Sequence, residues 1–302
     1  GHWALGRPVS STLRLWFAQS GADVPHLPAL RASRRRVALN RRFYLANSTR
    51  QGLSLRMTQN PRILPLIIAT ALLMENIDSA VLSTSLPQIA RDLGSDPIHL
   101  KLVLTTYLLA LAIFIPASGW AADRFGARRV FRWAIVVFAL GSVACGLSNN
   151  LWELVAARAL QGIGGSMMTP VGRLIVLRGV PREGLVGALA WLTVPALMGP
   201  VIGPLLGGYI TTFWDWRWIF WINIPIAVVG VVLAGRYVPD LREPTPKGFD
   251  GFGFLLLGPG LAGFLTGTTL LGLNLASPLV VGVLIVGGAG LTVGYILPAL
   301  RV

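Results

Sequence analysis

Glu75 and Asp78 lie three residues apart in a stretch, Ile63 to Pro87, that holds no other charged residue. On a helix that spacing puts both side chains on one face. An acid at the middle of a bilayer costs about 3 kcal/mol, so its presence asks for a reason. The chemical reason is proton carriage. A carboxylate shut away from water takes up and releases its proton nearer neutral pH, and a neighbouring acid or a bound cationic substrate shifts it further. The structural reason is that one or both acids sit at the membrane interface or pair with another helix. A third isolated charge is Arg158, in Arg158-Ala-Leu-Gln161-Gly162-Ile-Gly164-Gly165-Ser166. On a helix it lies about 9 Å in from Trp152. Its guanidinium must find a carboxylate, a carbonyl or water, and the small residues around it let neighbouring helices come close. Pairing with Glu75 or Asp78 would tune their proton affinity; a purely structural ion pair would fix helix packing instead.

Two further patterns accompany these charges. Gly199, Gly203 and Gly207 recur every four residues, with Pro195, Pro200, Pro204 and Gly208 among them. Such a stripe makes one helix face smooth, and each proline removes a backbone hydrogen bond and bends the helix. This helix can therefore pack tightly and flex as a gate, although close packing alone accounts for the stripe. The other pattern is Gly119-Trp-Ala-Ala-Asp123-Arg124-Phe-Gly126-Ala-Arg128-Arg129. Gly126 suits a tight turn, and the arginines serve membrane topology. Asp123 adds an acid where topology asks only for bases, and can cap a helix or latch onto another helix's positive end.

The elements that must position these groups are transmembrane helices. Hydrophobic residues make up 54% of the chain and charged ones 13%, against roughly a quarter charged in a soluble domain. No Asp, Glu, Lys or Arg occurs from Leu102 to Ala122, Trp133 to Trp152, Gly184 to Trp214, Trp218 to Gly235 or Gly251 to Leu300. A bilayer crossing needs about 20 mostly apolar residues. The pattern predicts an all-α integral membrane protein with helices over 63–89, 100–121, 131–149, 152–176, 184–211, 217–237, 252–272 and 278–299. The polar stretch Asp240 to Asp250 reads as a boundary after the sixth helix.

Charge placement orients the chain. Arg124, Arg128, Arg129 and Arg132 follow the second span; Arg173, Arg178 and Arg182 the fourth; Arg236, Arg242 and Lys247 the sixth. The opposite side has only Arg91, Lys101 and Arg217. The positive-inside rule then puts both ends of the segment in the cytoplasm of a multi-pass plasma-membrane (inner-membrane) protein. Trp214, Trp216, Trp218 and Trp221 fit an aromatic belt at the outer interface. The net charge of +14 suggests nucleic acid only until it is placed, since ten arginines, Arg7 to Arg56, precede Met57 against Asp23 alone. That segment, 1–56, lacks sustained periodicity, and the chain begins with Gly1. Met57 is expected to be the true start, with the preceding residues an upstream leader; the alternative is a disordered basic tail touching anionic lipid. Cys145 is the lone cysteine, which excludes disulfides and thiol–metal sites.

The four segments, in this order, resemble the major facilitator superfamily. Gly119 to Arg129 is similar to its signature between helices 2 and 3, with Gly119, Asp123, Arg124, Gly126, Arg128 and Arg129 matched. Arg158, Gln161, Gly162 and Gly164 resemble its helix 4 motif, whose arginine is implicated in proton coupling. Gly199, Gly203, Pro204, Gly207 and Gly208 resemble the helix 5 signature of its antiporters. Asp78-Ser-Ala-Val-Leu-Ser-Thr-Ser-Leu86-Pro87 is similar to the helix 1 motif of the fourteen-helix drug/proton antiporter branch; Ser83 stands where the family often has Asn, and Glu75 lies outside the pattern.

The resemblance covers roughly residues 60 to 300 and implies an N-terminal six-helix domain over 57–238, a cytoplasmic loop over 239–250 and two linker helices over 251–302, with the C-terminal six-helix domain absent. The partner of Asp123 would then belong to that second half. The implied function is proton-coupled antiport of small molecules or drugs, with Asp78 and Arg158 in proton coupling, and Glu75 joins them on its place in the apolar span alone; the alternative is a truncated membrane scaffold that transports nothing. Partners would be protons, membrane lipid and an unidentified small molecule, with no cofactor, no metal and no nucleic acid. A membrane-embedded enzyme is disfavoured, because His2, His26 and His99 fall outside the predicted spans and no Ser/His or metal-ligand arrangement is visible.

Overall fold

The structure, a computed structural model, describes residues 63–243, 248–273 and 276–299. The basic segment before Met57 and the candidate start itself lie outside the described residues. Among those described, the chain is helical throughout: α1 Ile63–Asp92, α2 Pro97–Phe125, α3 Ala127–Leu147, α4 Leu151–Gly179, a single 3-10 turn Arg182–Gly184, α5 Leu185–Phe213, α6 Trp218–Trp221, α7 Asn223–Tyr237, α8 Gly251–Leu273 and α9 Pro278–Ala299. Among the described residues, seven helical stretches, with α6 and α7 counted as one, are long and apolar enough to cross a membrane. The helix missing from that set is α4, which has the length but carries Glu153, Arg158, Arg173 and Arg178.

Helix ends depart from expectation where capping overrides hydropathy. α2 begins three residues early because Asp96 accepts a hydrogen bond from the Ile98 N–H (2.7 Å) and Pro97 occupies the first turn. It also runs on through Asp123 and Arg124 to Phe125, and the turn to α3 is Gly126 alone, at φ 93°. Only glycine adopts that backbone freely, so α3 starts at Ala127 and takes Arg128, Arg129 and Arg132 into its first turns. At the start of α4, Asn150 caps the Glu153 N–H (3.0 Å) while Glu153 reaches back to the Asn149 N–H (2.8 Å). The sixth predicted span is two helices, α6 and α7, separated by Ile222.

The core is divided along the bundle axis. One buried cluster gathers Ile68, Leu72 and Met74 of α1, Phe131 and Phe138 of α3, and Met168 and Ile175 of α4. The other gathers Val81, Leu82 and Ile89 of α1, Leu100 and Val103 of α2, Leu154 of α4, and Trp216 and Phe220 before α7. Between them in sequence fall Glu75 and Asp78 on α1, Ser142 on α3 and Arg158 and Gln161 on α4, all buried. α8 and α9 pair with each other through small residues: an added Cβ at Gly260 would meet Thr292 and the Gly288 carbonyl at 2.7–3.1 Å. Outward side chains such as Phe252 (74% exposed) and Leu279 (76%) are apolar, as a lipid-facing surface requires.

Candidate functional site

Asp78 is the centre of the buried polar cluster. Arg158 Nη1 donates to its Oδ2 at 2.6 Å, Gln161 Nε2 to its Oδ1 at 2.9 Å and Asn223 Nδ2 to the same Oδ1 at 2.8 Å. Arg158 Nη1 also donates to Gln161 Oε1 at 2.6 Å, so the two side chains from one turn of α4 hold the carboxylate together. Gln161 and Asn223 both donate to Ser142 Oγ, at 2.7 and 3.0 Å. The Arg158 guanidinium lies over the Tyr107 ring, 4.2 Å from its centroid. Side chains of α4 and α7 thus meet at one carboxylate of α1, Ser142 of α3 ties the two amides together, and α2 supplies an aromatic face to the cation.

Glu75 sits one turn away on α1 but outside this network. Its one side-chain hydrogen bond comes from Thr169 Oγ1 (3.1 Å), and it forms no ion pair among the described residues. The expected sharing of a face is therefore present, while the expected pairing of Arg158 is with Asp78 alone. One acid is balanced by a guanidinium and the other is not.

Close backbone approach makes this burial possible. A Cβ on Gly162 would strike Ala110 and the Tyr107 carbonyl at 2.7 Å, and one on Gly164 would strike the backbone at Phe138. The helix 4 glycines are thus the points where α2 and α3 press against α4. The α5 stripe works in the same way against α1. An added Cβ at Gly199 would fall 2.5 Å from that of Asn76, and at Gly203 and Gly207 it would collide with Ala80 and Thr84. Glycines spaced by four on α5 meet residues spaced by four on α1, so the ridges interlock. Gly208 and Gly119 have open space around them and take no part in this packing. Ser83 turns back to the Ala80 carbonyl of its own helix (2.8 Å).

The Gly119–Arg129 segment lies apart from the cluster, at the far ends of α2 and α3. Asp123 Oδ1 accepts from Arg178 Nη1 at 2.7 Å. Within the described residues its partner is thus a guanidinium on the last turn of α4, and neither a cap nor a helix N-terminus. The residues after α7 clasp the turn: the Ala127 N–H donates to the Leu241 carbonyl (2.9 Å), and Arg128 and Arg242 flank Asp240 at 3.7 and 3.3 Å. Arg124 and Arg129 are exposed.

Sequence reading missed Ser142, Asn223, Tyr107, Thr169 and Arg178 as members of these sites. Asn223 had a signal, being the only amide in its apolar span; Ser142 and Thr169 are short hydroxyls common in membrane helices and gave none.

A family model described as Major Facilitator Superfamily matches residues 68–302. Proteins of Escherichia coli and Shigella flexneri that carry the name multidrug resistance protein MdtD are 43% identical over 236 residues, which is 77% of this chain and 49% of theirs. The chain therefore spans about half the length of the curated relatives it matches. Among solved structures, a bacterial homologue of the human lysosomal transporter Spinster, inward-facing and unoccupied, aligns with a TM-score of 0.50 at 17% identity over 78% of this chain and 60% of that one. A peptide transporter, POT, solved with sulfate, aligns with a TM-score of 0.52 at 14% identity over 72% of this chain and 52% of that one. At these identities the structural likeness concerns the fold alone.

Proposed function

The chain belongs to the major facilitator superfamily, and from that premise we propose that the whole protein is a proton-coupled antiporter exporting small molecules by alternating access. These residues supply its first six-helix domain and two linker helices in the plasma membrane, with both ends of the segment in the cytoplasm. The observation that carries the reading is the Arg158–Asp78 pair, fully buried with Gln161 and Asn223 between two hydrophobic clusters. A charged pair held away from water is costly unless it does something that apolar residues cannot.

Asp78 and Arg158 form the switchable pair, and Glu75 is a second proton site. A proton arriving on Asp78 releases Arg158, which then stays buried beside the Tyr107 ring; a proton on Glu75 requires no ion pair to break. The interlocked α1–α5 contact would carry changes at these acids to a neighbouring half. The relatives named for multidrug resistance support drugs or other small organic molecules as cargo. The test is efflux driven by an imposed pH gradient in proteoliposomes of the whole protein. Asp78→Asn should abolish exchange while the protein still inserts; retained exchange would refute the role.

A further inference from the structure

We propose that Tyr107, Gly165 and Glu75 form a binding site for one water molecule, through which Glu75 takes up and gives back its proton. The inference rests on reading Glu75 as a proton site. Its place is the junction of α1, α2 and α4, beside the Asp78–Arg158 pair and not part of it.

Tyr107 does two things at this junction. Arg158 uses Nη1 on Asp78 and Gln161, while its Nε and Nη2 are buried and meet no hydrogen-bond acceptor among the described residues. The Tyr107 ring, 4.2 Å from the guanidinium, is the electron-rich surface offered to those two N–H groups. The Tyr107 hydroxyl, at the end of the side chain, is also buried and has no partner among the described residues. A buried hydroxyl without a partner costs about 1–3 kcal/mol, and ordered water commonly satisfies such groups.

Gly165 marks where the water sits. A Cβ on Gly165 would lie 3.1 Å from the Tyr107 hydroxyl oxygen and 3.5 Å from Glu75 Oε1, with Leu111 Cδ2 at 3.3 Å closing one side. The two oxygens therefore flank one spot that α4 leaves free of side chain. They do not bond each other, yet both lie close enough to that spot for a single water to reach them. Glu75 Oε1 is the free acceptor, since Thr169 donates to Oε2 and no described residue donates to Oε1. Ser79, one turn further along α1 and partly exposed, is a neighbouring hydroxyl and offers a third partner, within the roughly two to four that a buried water uses. Glu75 is itself 8% exposed, so the spot is not sealed off.

In the transfer, a water carrying an extra proton breaks one of its O–H bonds as a new O–H bond forms on Glu75 Oε1. Neutral water and a carboxylic acid remain, and release runs in reverse. Tyr107 keeps its own proton and orients the water. The titratable groups near Glu75 are Asp78 of its own helix and Tyr107 of α2, with Arg158 of α4 over the Tyr107 ring. α5, packed against α1 along its glycine stripe, carries no charged residue.

The test is infrared difference spectroscopy of the whole protein in lipid vesicles, between acid and alkaline buffer. Glu75→Gln identifies the carbonyl band of protonated Glu75, and a water band that shifts in heavy-oxygen water should accompany it. Tyr107→Phe keeps the ring beside Arg158 and removes the hydroxyl, whereas Gly165→Ala fills the spot with a methyl group. In both, the Glu75 band should move to higher wavenumber, as a carboxylic acid does on losing a hydrogen bond, and the water band should disappear. Exchange driven by a pH gradient should fall about tenfold, the order expected from one lost hydrogen bond to a charged group. Gly165→Ser puts a hydroxyl where the water sits, so it should recover the band position and most of the exchange although its side chain is larger than that of alanine. A purely steric role for Gly165 predicts the reverse. A Glu75 band unmoved in Tyr107→Phe, a serine variant no better than the alanine one, or no titrating Glu75 band at all would overturn the proposal. If the Gly165 variants do not fold, the band in Tyr107→Phe decides alone. The spectra need no cargo, so failure of the export reading, measured by transport in Asp78→Asn, is told apart from failure here.

Discussion

Arg158 of α4 reaches Asp78 of α1 at 2.6 Å, and neither side chain is exposed to solvent. Removing one member leaves the other charge buried without its counterion. Arg158→Ala should therefore destabilise the domain by about 3–5 kcal/mol, whereas Asp78→Asn with Arg158→Gln should recover much of that loss. Thermal unfolding in detergent measures both; a double variant no more stable than Arg158→Ala would mean that the ion pair is not what holds these helices.

Glu75 should behave in the opposite way. With no counterion to strand, Glu75→Gln keeps an acceptor for Thr169 Oγ1 and should melt within a degree or two of the parent, a shift of well under 1 kcal/mol. Its pH-gradient-driven efflux should nevertheless fall to background. A melting point lowered as far as in Arg158→Ala would assign Glu75 to structure.

The α5 stripe gives a positional contrast. Gly203→Ala forces a methyl group into Ala80 and the backbone of α1, and should cost about 1–3 kcal/mol. Gly208→Ala meets nothing within 4 Å and should be neutral. Folded yield by size-exclusion chromatography reads both. Equal tolerance at the two positions would contradict the interlocked packing.

At the turn between α2 and α3, Gly126→Ala combines a φ of 93° with a Cβ placed 2.7 Å from Asp240 Oδ1. The backbone strain alone should cost about 1–2 kcal/mol. Asp123→Asn removes an ion pair whose side chains are about a third exposed, and should change stability by about 1 kcal/mol at most. Melting of the two variants side by side distinguishes them; a larger effect from Asp123→Asn would make that ion pair the stronger structural element.

Most of the architecture was legible because hydrocarbon leaves few choices. A run without charge from Leu102 to Ala122 has to be helical in a bilayer, since helices satisfy their own backbone hydrogen bonds. The end of α2 was misjudged because Asp123, Arg124 and Phe125 continue the helix at a polar interface, where hydropathy carries no signal. Splitting of the sixth span at Ile222 was hidden for a similar reason, as both pieces are equally apolar. Around the acids, Glu75, Asp78, Arg158 and Gln161 announced themselves as polar residues in apolar surroundings. Ser142 and Thr169 did not, because one hydroxyl costs little on a membrane helix and many bond their own backbone.

The sequence by itself determined that these groups lie within membrane helices and that each must find a partner, since a charge in hydrocarbon is too costly to leave alone. Which partner it finds was decided only in three dimensions. Asp78 and Glu75 are nearly equivalent on the helix, one turn apart, yet the packing of α4 brings Arg158 to Asp78 and leaves Glu75 with Thr169. Asn223, from a helix 145 residues further on, closes the same carboxylate. Spacing along a chain fixes which face a residue takes; the distance between two faces depends on the side chains that keep helices apart or let them touch.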